Sequence, residues 1–191
     1  IGTSNSQRWL EKGDDYFLME GDGTSTIGTG IVFLVKSSNT IHYVDSGITH
    51  PAGQWYHVVG VHDDTNDLLK LYINGIEVNE TGFASTIDDD NLALRLGSDD
   101  GGLYFDGTLD GVKIYNRALT STEILSNYQS GDIEMRYRTS TDGSTWSSWS
   151  GTETSIENFD SDYMYPTSET GLVAYYPMDE SSGTTVNDRA G

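Results

Sequence analysis

The chain has no cysteine in 191 residues. Disulfide frameworks, thiolate metal sites and cysteine nucleophiles are therefore excluded. Cations are scarce as well: ten Lys and Arg stand against thirty Asp and Glu, a formal net charge of −20. A field of that sign repels phosphate backbones and anionic membrane surfaces, so no nucleic-acid partner is expected. Long apolar runs are missing. The stretch 31–35 is among the longest, whereas a membrane helix needs about 20 residues, so no membrane insertion is expected. The chain opens on Ile1 without a signal-peptide pattern and reads as a mature or truncated piece. Its four histidines, His42, His50, His57 and His62, form no His-x-x-x-His pair. No Gly-x-Ser-x-Gly elbow or phosphate-cradling loop occurs, and catalysis is not expected.

What is present is turn chemistry between short alternating segments. There are 22 glycines, only three prolines and many Ser, Thr, Asn, Asp and Tyr. This is the pattern of an all-β antiparallel sandwich or barrel. Strands are expected at 16–19, 31–36, 42–44 and 55–62, the last with Trp55, His57, Val59 and Val61 on one face and Tyr56, Val58 and His62 on the other. That alternation assigns Trp55 to the core. Leu69, Leu71 and Ile73 alternate with Lys70 and Tyr72, and Asn74-Gly75 then signals a two-residue hairpin leading into Ile76 and Val78. Leu92, Leu94 and Leu96 mark another strand, and 107–115 a further one. One short helix is expected. Thr120 or Ser121 caps it, Glu123 lies in its first turn, Ile124, Leu125 and Tyr128 form its apolar side, and Gly131 ends it. Beyond it, Ile133, Met135 and Tyr137, the Asp142-Gly143 turn, and Trp146 and Trp149 read as an appended β-hairpin, which needs a larger body to lean on. A polar linker covers 150–169, and a last apolar strand covers 172–176.

Three stretches taken in order resemble the laminin-G-like, concanavalin A-like jelly-roll modules of bacterial or archaeal surfaces. They are 53–59 (GQWYHVV), 71–75 (LYING) and 105–119 (FDGTLDGVKIYNRAL), the last continuing to Glu123-Ile124. The resemblance covers about residues 9–130. It implies a secreted or cell-surface β-sandwich over 1–131, with its opening strands missing. A hairpin and linker follow over 132–168, and 169–191 looks like the opening of a following module, as in a segment of a tandem array. A sandwich short of strands has open edges that invite pairing. Leu172, Val173, Ala174, Tyr175 and Tyr176 are the expected inter-module strand, completing this sandwich or a neighbour's by strand addition. Head-to-tail donation of that kind builds filaments. A fibre or adhesive subunit that exchanges strands with copies of itself or neighbouring repeats is thus the first functional expectation. A carbohydrate-binding module of a larger secreted enzyme or adhesin is the alternative.

Members of the resembled family often hold a structural calcium ion. The resemblance assigns that role to Asp110, inside the Gly-x-x-Asp stretch, with Asp179, Glu180 and Asp188 completing the site. The ordinary alternative for Asp110 is a hydrogen-bonded turn carboxylate. The acidic runs at 88–90 and 99–100 read as solvated turns, without EF-hand spacing. For glycans, the candidate stacking residues are Trp9, Tyr104, Trp146 and Trp149, although packing against the sandwich is favoured for the last two. Asn79-Glu80-Thr81 is a glycosylation sequon at a strand end.

Overall fold

The computed structural model describes residues 7–21, 23, 27–99, 102, 104–130 and 144–145, and the backbone of 172–176. In chain order the elements are β1 (Arg8–Lys12), β2 (Tyr16–Glu20), β3 (Ile31–Ser37), β4 (Thr40–Asp45), β5 (Val58–Asp63), β6 (Leu68–Ile73), β7 (Ile76–Gly82), β8 (Leu94–Leu96), β9 (Val112–Tyr115), α1 (Ser121–Gln129) and β10 (Leu172–Tyr176). Five strands form one antiparallel sheet in the order β4-β3-β2-β1-β8. Three more form a second sheet, β5-β6-β7, and β10 pairs with β9. The expected all-β jelly-roll sandwich with one short helix is the fold observed. The expected hairpin and linker fall outside the described residues, apart from the exposed Ser144 and Thr145.

The two sheets face each other because alternation points one set of side chains from each inward. Ile31, Phe33 and Val35 of β3 meet Leu69, Leu71 and Ile73 of β6, with Trp9, Val44 and Phe83 filling the rest of the layer. The intervening β3 residues Val32 and Leu34 are buried on the opposite face, with Phe17 and Met19 of β2. A strand buried on both faces explains why β3 is a continuous apolar run rather than an alternating one. Gly60 of β5 stands directly over the ring of Phe33, and its missing side chain lets the sheets approach there.

The other face of the second sheet carries the helix. Ile124 and Leu119 pack on Val61 and Tyr72, and Val59 and Tyr115 adjoin the same cluster. Tyr115 belongs to β9, so β9 adjoins this helix-bearing layer. Helix α1 begins in a capping box: the Thr120 hydroxyl accepts the Glu123 N–H, and the Glu123 carboxylate accepts the Thr120 N–H at 2.8 Å. Arg117 clamps the same carboxylate at 2.7 and 3.0 Å. Together with the Thr120 contacts it holds the Glu123 carboxyl well below its usual range, at about 2.

At one end of the sandwich the acidic run is a set of ties rather than a solvated turn. Asp88 accepts the N–H groups of Ser38 and Asn39 at 2.8 and 3.2 Å, in the β3–β4 turn. Asp90 accepts the N–H of Asp14 at 2.8 Å, in the β1–β2 turn, and Asp90 N–H donates to Asp15 at 3.1 Å. The N–H of Asp14 foremost, and then that of Leu92 at 2.9 Å, hold the Asp90 carboxyl below its ordinary value. One loop thus fastens two hairpins.

Candidate functional site

β4 and β7 are the edge strands of their sheets on the same side of the sandwich. Between them lies a polar cleft of about 390 Å³, lined by residues 41–45 and 79–82. That volume falls within the range of small-molecule sites. It runs along five residues of β4, roughly 13 Å at a strand's rise of ~3.3 Å per residue. The sheets are stitched together at one point, where the Asn79 amide donates to the Asp45 carbonyl at 2.8 Å. Asn79 also accepts the Glu80 N–H at 3.0 Å, and Asp45 accepts the Thr29 N–H at 2.8 Å. Nearby, His42 and His62 set their ring edges against Phe83 at 5.0 and 5.2 Å.

At the Asp45 end the chain leaves β4, crosses residues 46–57 and enters β5. This loop is bolted down. The Ser46 hydroxyl accepts the Ile31 N–H at 3.0 Å, donates to the Ile48 carbonyl at 3.0 Å and lies 3.1 Å from His50 Nε2. The Tyr56 hydroxyl lies 3.0 Å from the Pro51 carbonyl and 3.2 Å from Gln54 Oε1, and His50 packs edge-on against its ring. His57 and Asn74 exchange two bonds: His57 N–H to Asn74 Oδ1 at 3.0 Å, and Asn74 N–H to the His57 carbonyl at 2.8 Å. The His57 ring is buried against Tyr128, and burial first, then Lys113, pushes its pKa down. On this fixed loop Trp55 is 68% exposed. Ile48 and Ile76, from the same loop and from the β6–β7 hairpin, are likewise exposed at that end.

Trp55 is therefore a correction: the strand begins at Val58, three residues later than expected, and the indole stays outside the core. The turn-forming run Pro51-Ala52-Gly53-Gln54 immediately before it is the signal that could have shown this. Trp9 is the opposite correction. It is 7% exposed in the inter-sheet core, with Phe105 at 5.8 Å, and offers no ring face to a sugar. Tyr104 is exposed as a stacking residue must be, but it bridges to Ser98 beside β8, across the five-stranded sheet from β4. The structure does not bring it to the cleft. Trp146 and Trp149 lie outside the described residues.

Asp110 is exposed, while Asp179, Glu180 and Asp188 lie outside the described residues. Among the described residues no group of three His, Asp or Glu is placed to hold a metal. A hard cation takes about six to eight oxygens, and the residues expected to join Asp110 in supplying them lie outside the described residues. Asn79, the sequon residue, is exposed on β7, with its amide nitrogen occupied at Asp45. Leu172–Tyr176 pairs antiparallel with β9 of its own chain, Ala174 opposite Ile114 and Tyr176 opposite Val112.

The family model for the Concanavalin A-like lectin/glucanases superfamily matches residues 2–125. No curated protein matches the sequence. Among solved structures, a Bacteroides ovatus protein described as a candidate carbohydrate-binding protein superposes with a TM-score of 0.63 at 17% identity, over 98% of this chain and 46% of its own. Domain 4 of AbnA, a GH43 extracellular arabinanase from Geobacillus stearothermophilus solved with arabinotriose, gives 0.52 at 24% identity, over 66% of this chain and 60% of its own. The chain thus spans about half the length of these structural relatives, and at such identities the likeness is one of fold.

Proposed function

The chain belongs to the Concanavalin A-like lectin/glucanases superfamily, and on that premise we propose that it is a non-catalytic carbohydrate-binding module of a secreted or surface protein. The observations that carry this reading are the exposed Trp55 indole, held on a bolted loop just before β5, and the polar cleft between β4 and β7. Sugar sites need an apolar face for the ring and a few fixed polar groups for its hydroxyls. Trp55 supplies the first. Asp45, Asn79, Glu80 and Thr81 supply the second, and the loop's hydrogen bonds lower the ordering cost of binding. Because one structural neighbour was solved with arabinotriose, arabinan is the first ligand to try.

The test is affinity electrophoresis and calorimetry against arabinan, xylan and β-glucan, with wild type and Trp55→Ala. Truncating a central aromatic anchor costs about 2 kcal/mol, roughly 30-fold in Kd. Equal retention of the two proteins would remove Trp55 from the site, and no retention on any glycan would remove the function.

A second, compatible reading is strand exchange between modules, favoured by the pairing of β10 with β9 across a long stretch of chain. Because the chain lacks cysteine, Ile114→Cys and Ala174→Cys can be made as separate proteins and mixed under oxidising conditions. A cross-linked dimer supports exchange and assembly into fibres. Cross-linking only when both cysteines share one chain rejects it.

A further inference from the structure

Resting on the carbohydrate reading, we propose that the β4/β7 cleft selects uncharged glycans and excludes polyuronates and sulfated chains. Recognition of a sugar carboxylate or sulfate relies on an arginine fork or a lysine directed at the anion. Among the described residues, the cleft lining contains Asp45 and Glu80 and neither Lys nor Arg. Elsewhere six of the described cations are committed to carboxylates of this chain. Arg8 and Arg95 share Glu11, Lys12 reaches Asp15 and Asp90, Lys36 reaches Asp14, and Arg117 grips Glu123. Lys70 is the cation closest in sequence pairing to the cleft, and it lies 3.7 Å from Glu77 and 3.6 Å from Glu80. Lys113 is on β9, which pairs with β10 rather than with either cleft strand. Among the described residues, a polyuronate entering the cleft would meet the carboxylates of Asp45 and Glu80, with the neighbouring lysine, Lys70, already shared between Glu77 and Glu80, inside the field of a chain of net charge −20. An uncharged chain pays no such penalty: its hydroxyls can donate to Asp45 and Glu80 and accept from Thr81.

The experiment compares retention of the full chain on arabinan, polygalacturonate and chondroitin sulfate at low and high salt, alongside Glu80→Lys. The expected result is retention on arabinan that changes little with salt, and retention on the two anionic polymers at least tenfold weaker at low salt. Glu80→Lys, a change at a half-exposed side chain, should raise polygalacturonate retention at least fivefold at low salt, with the gain lost at high salt. Anionic polymers held as tightly as arabinan overturn the selectivity while leaving the binding function intact. An unchanged Glu80→Lys profile overturns its electrostatic cause. Failure to hold any of the three removes the parent reading and this inference with it.

Discussion

Replacing Gly60 with alanine probes the close sheet-to-sheet contact at β5. The added methyl would lie 2.5 Å from Cδ2 and 2.9 Å from Cδ1 of Phe33, whereas carbon atoms rest at about 3.5–4.0 Å. The ring belongs to the buried cluster with Ile31, Val35, Leu69 and Leu71, and a close-packed interior gives it little room to retreat. Overpacking of this kind costs about 1–3 kcal/mol. Gly60 does not have a positive φ, so alanine recovers about 0.4–1 kcal/mol of unfolded-state entropy. The net expectation is a loss of about 1–2 kcal/mol, a melting shift of roughly 3–8 °C. Urea denaturation should show a lowered midpoint with an unchanged slope. Adding Phe33→Leu should recover part of the loss, because the two residues share one space. A Gly60→Ala protein as stable as wild type, or a double mutant whose losses simply add, would refute the packing argument.

Other outcomes are equally open to measurement. Glu123 has its folded pKa depressed to about 2, so its contribution is present above its ordinary value of 4.5 and is lost as pH falls from there towards 2. The Glu123→Gln melting curve should therefore be flatter over that window, and curves that run parallel to wild type would contradict the assignment. His57, depressed by burial, should titrate below 6.5 by NMR and cost stability only as pH falls beneath that value; a measured pKa at or above 6.5 would show the ring to be solvated. Tyr104→Ala should leave glycan retention unchanged while Trp55→Ala reduces it, and the reverse pattern would move the site to the β8 edge. Thr120→Ala should lower stability by about 1 kcal/mol through the lost cap, readable as a urea midpoint shift.

Local signals were legible where the chain interacts with itself at short range. Asn74-Gly75 adopts the positive φ values its hairpin demands, 51° and 77°. Leu69, Leu71 and Ile73 face the core as their alternation requires, and the Thr120 to Glu123 spacing forms the cap. β1 escaped notice because a bulge between Arg8 and Leu10 breaks its alternation and because the buried Glu11 is neutralised by Arg8 and Arg95, which arrive from β1 itself and from β8. The two tryptophans were exchanged, Trp9 for Trp55, because burial depends on the residues that the opposite sheet supplies and on where a strand starts. The cleft was illegible for a similar reason. Asp45 and Asn79 are 34 residues apart, and only the packing of two sheets makes them neighbours. The acidic residues at 88–90 reveal their purpose only beside the turns whose amides they bind.

Those ties divide the sandwich into two poles with different tolerances. Around Asp88 and Asp90, a residue inserted into either hairpin turn would pull amides away from their carboxylates and loosen both turns together. The opposite pole, with Trp55 and the 46–57 crossing, hangs from β4 and β5 and is not part of that lock. Its exposed side chains, Ile48 and Trp55 among them, can change while the Asp88 and Asp90 ties stay shut. A scaffold so arranged can trade one ligand for another by rewriting a single crossing, with its foundation untouched.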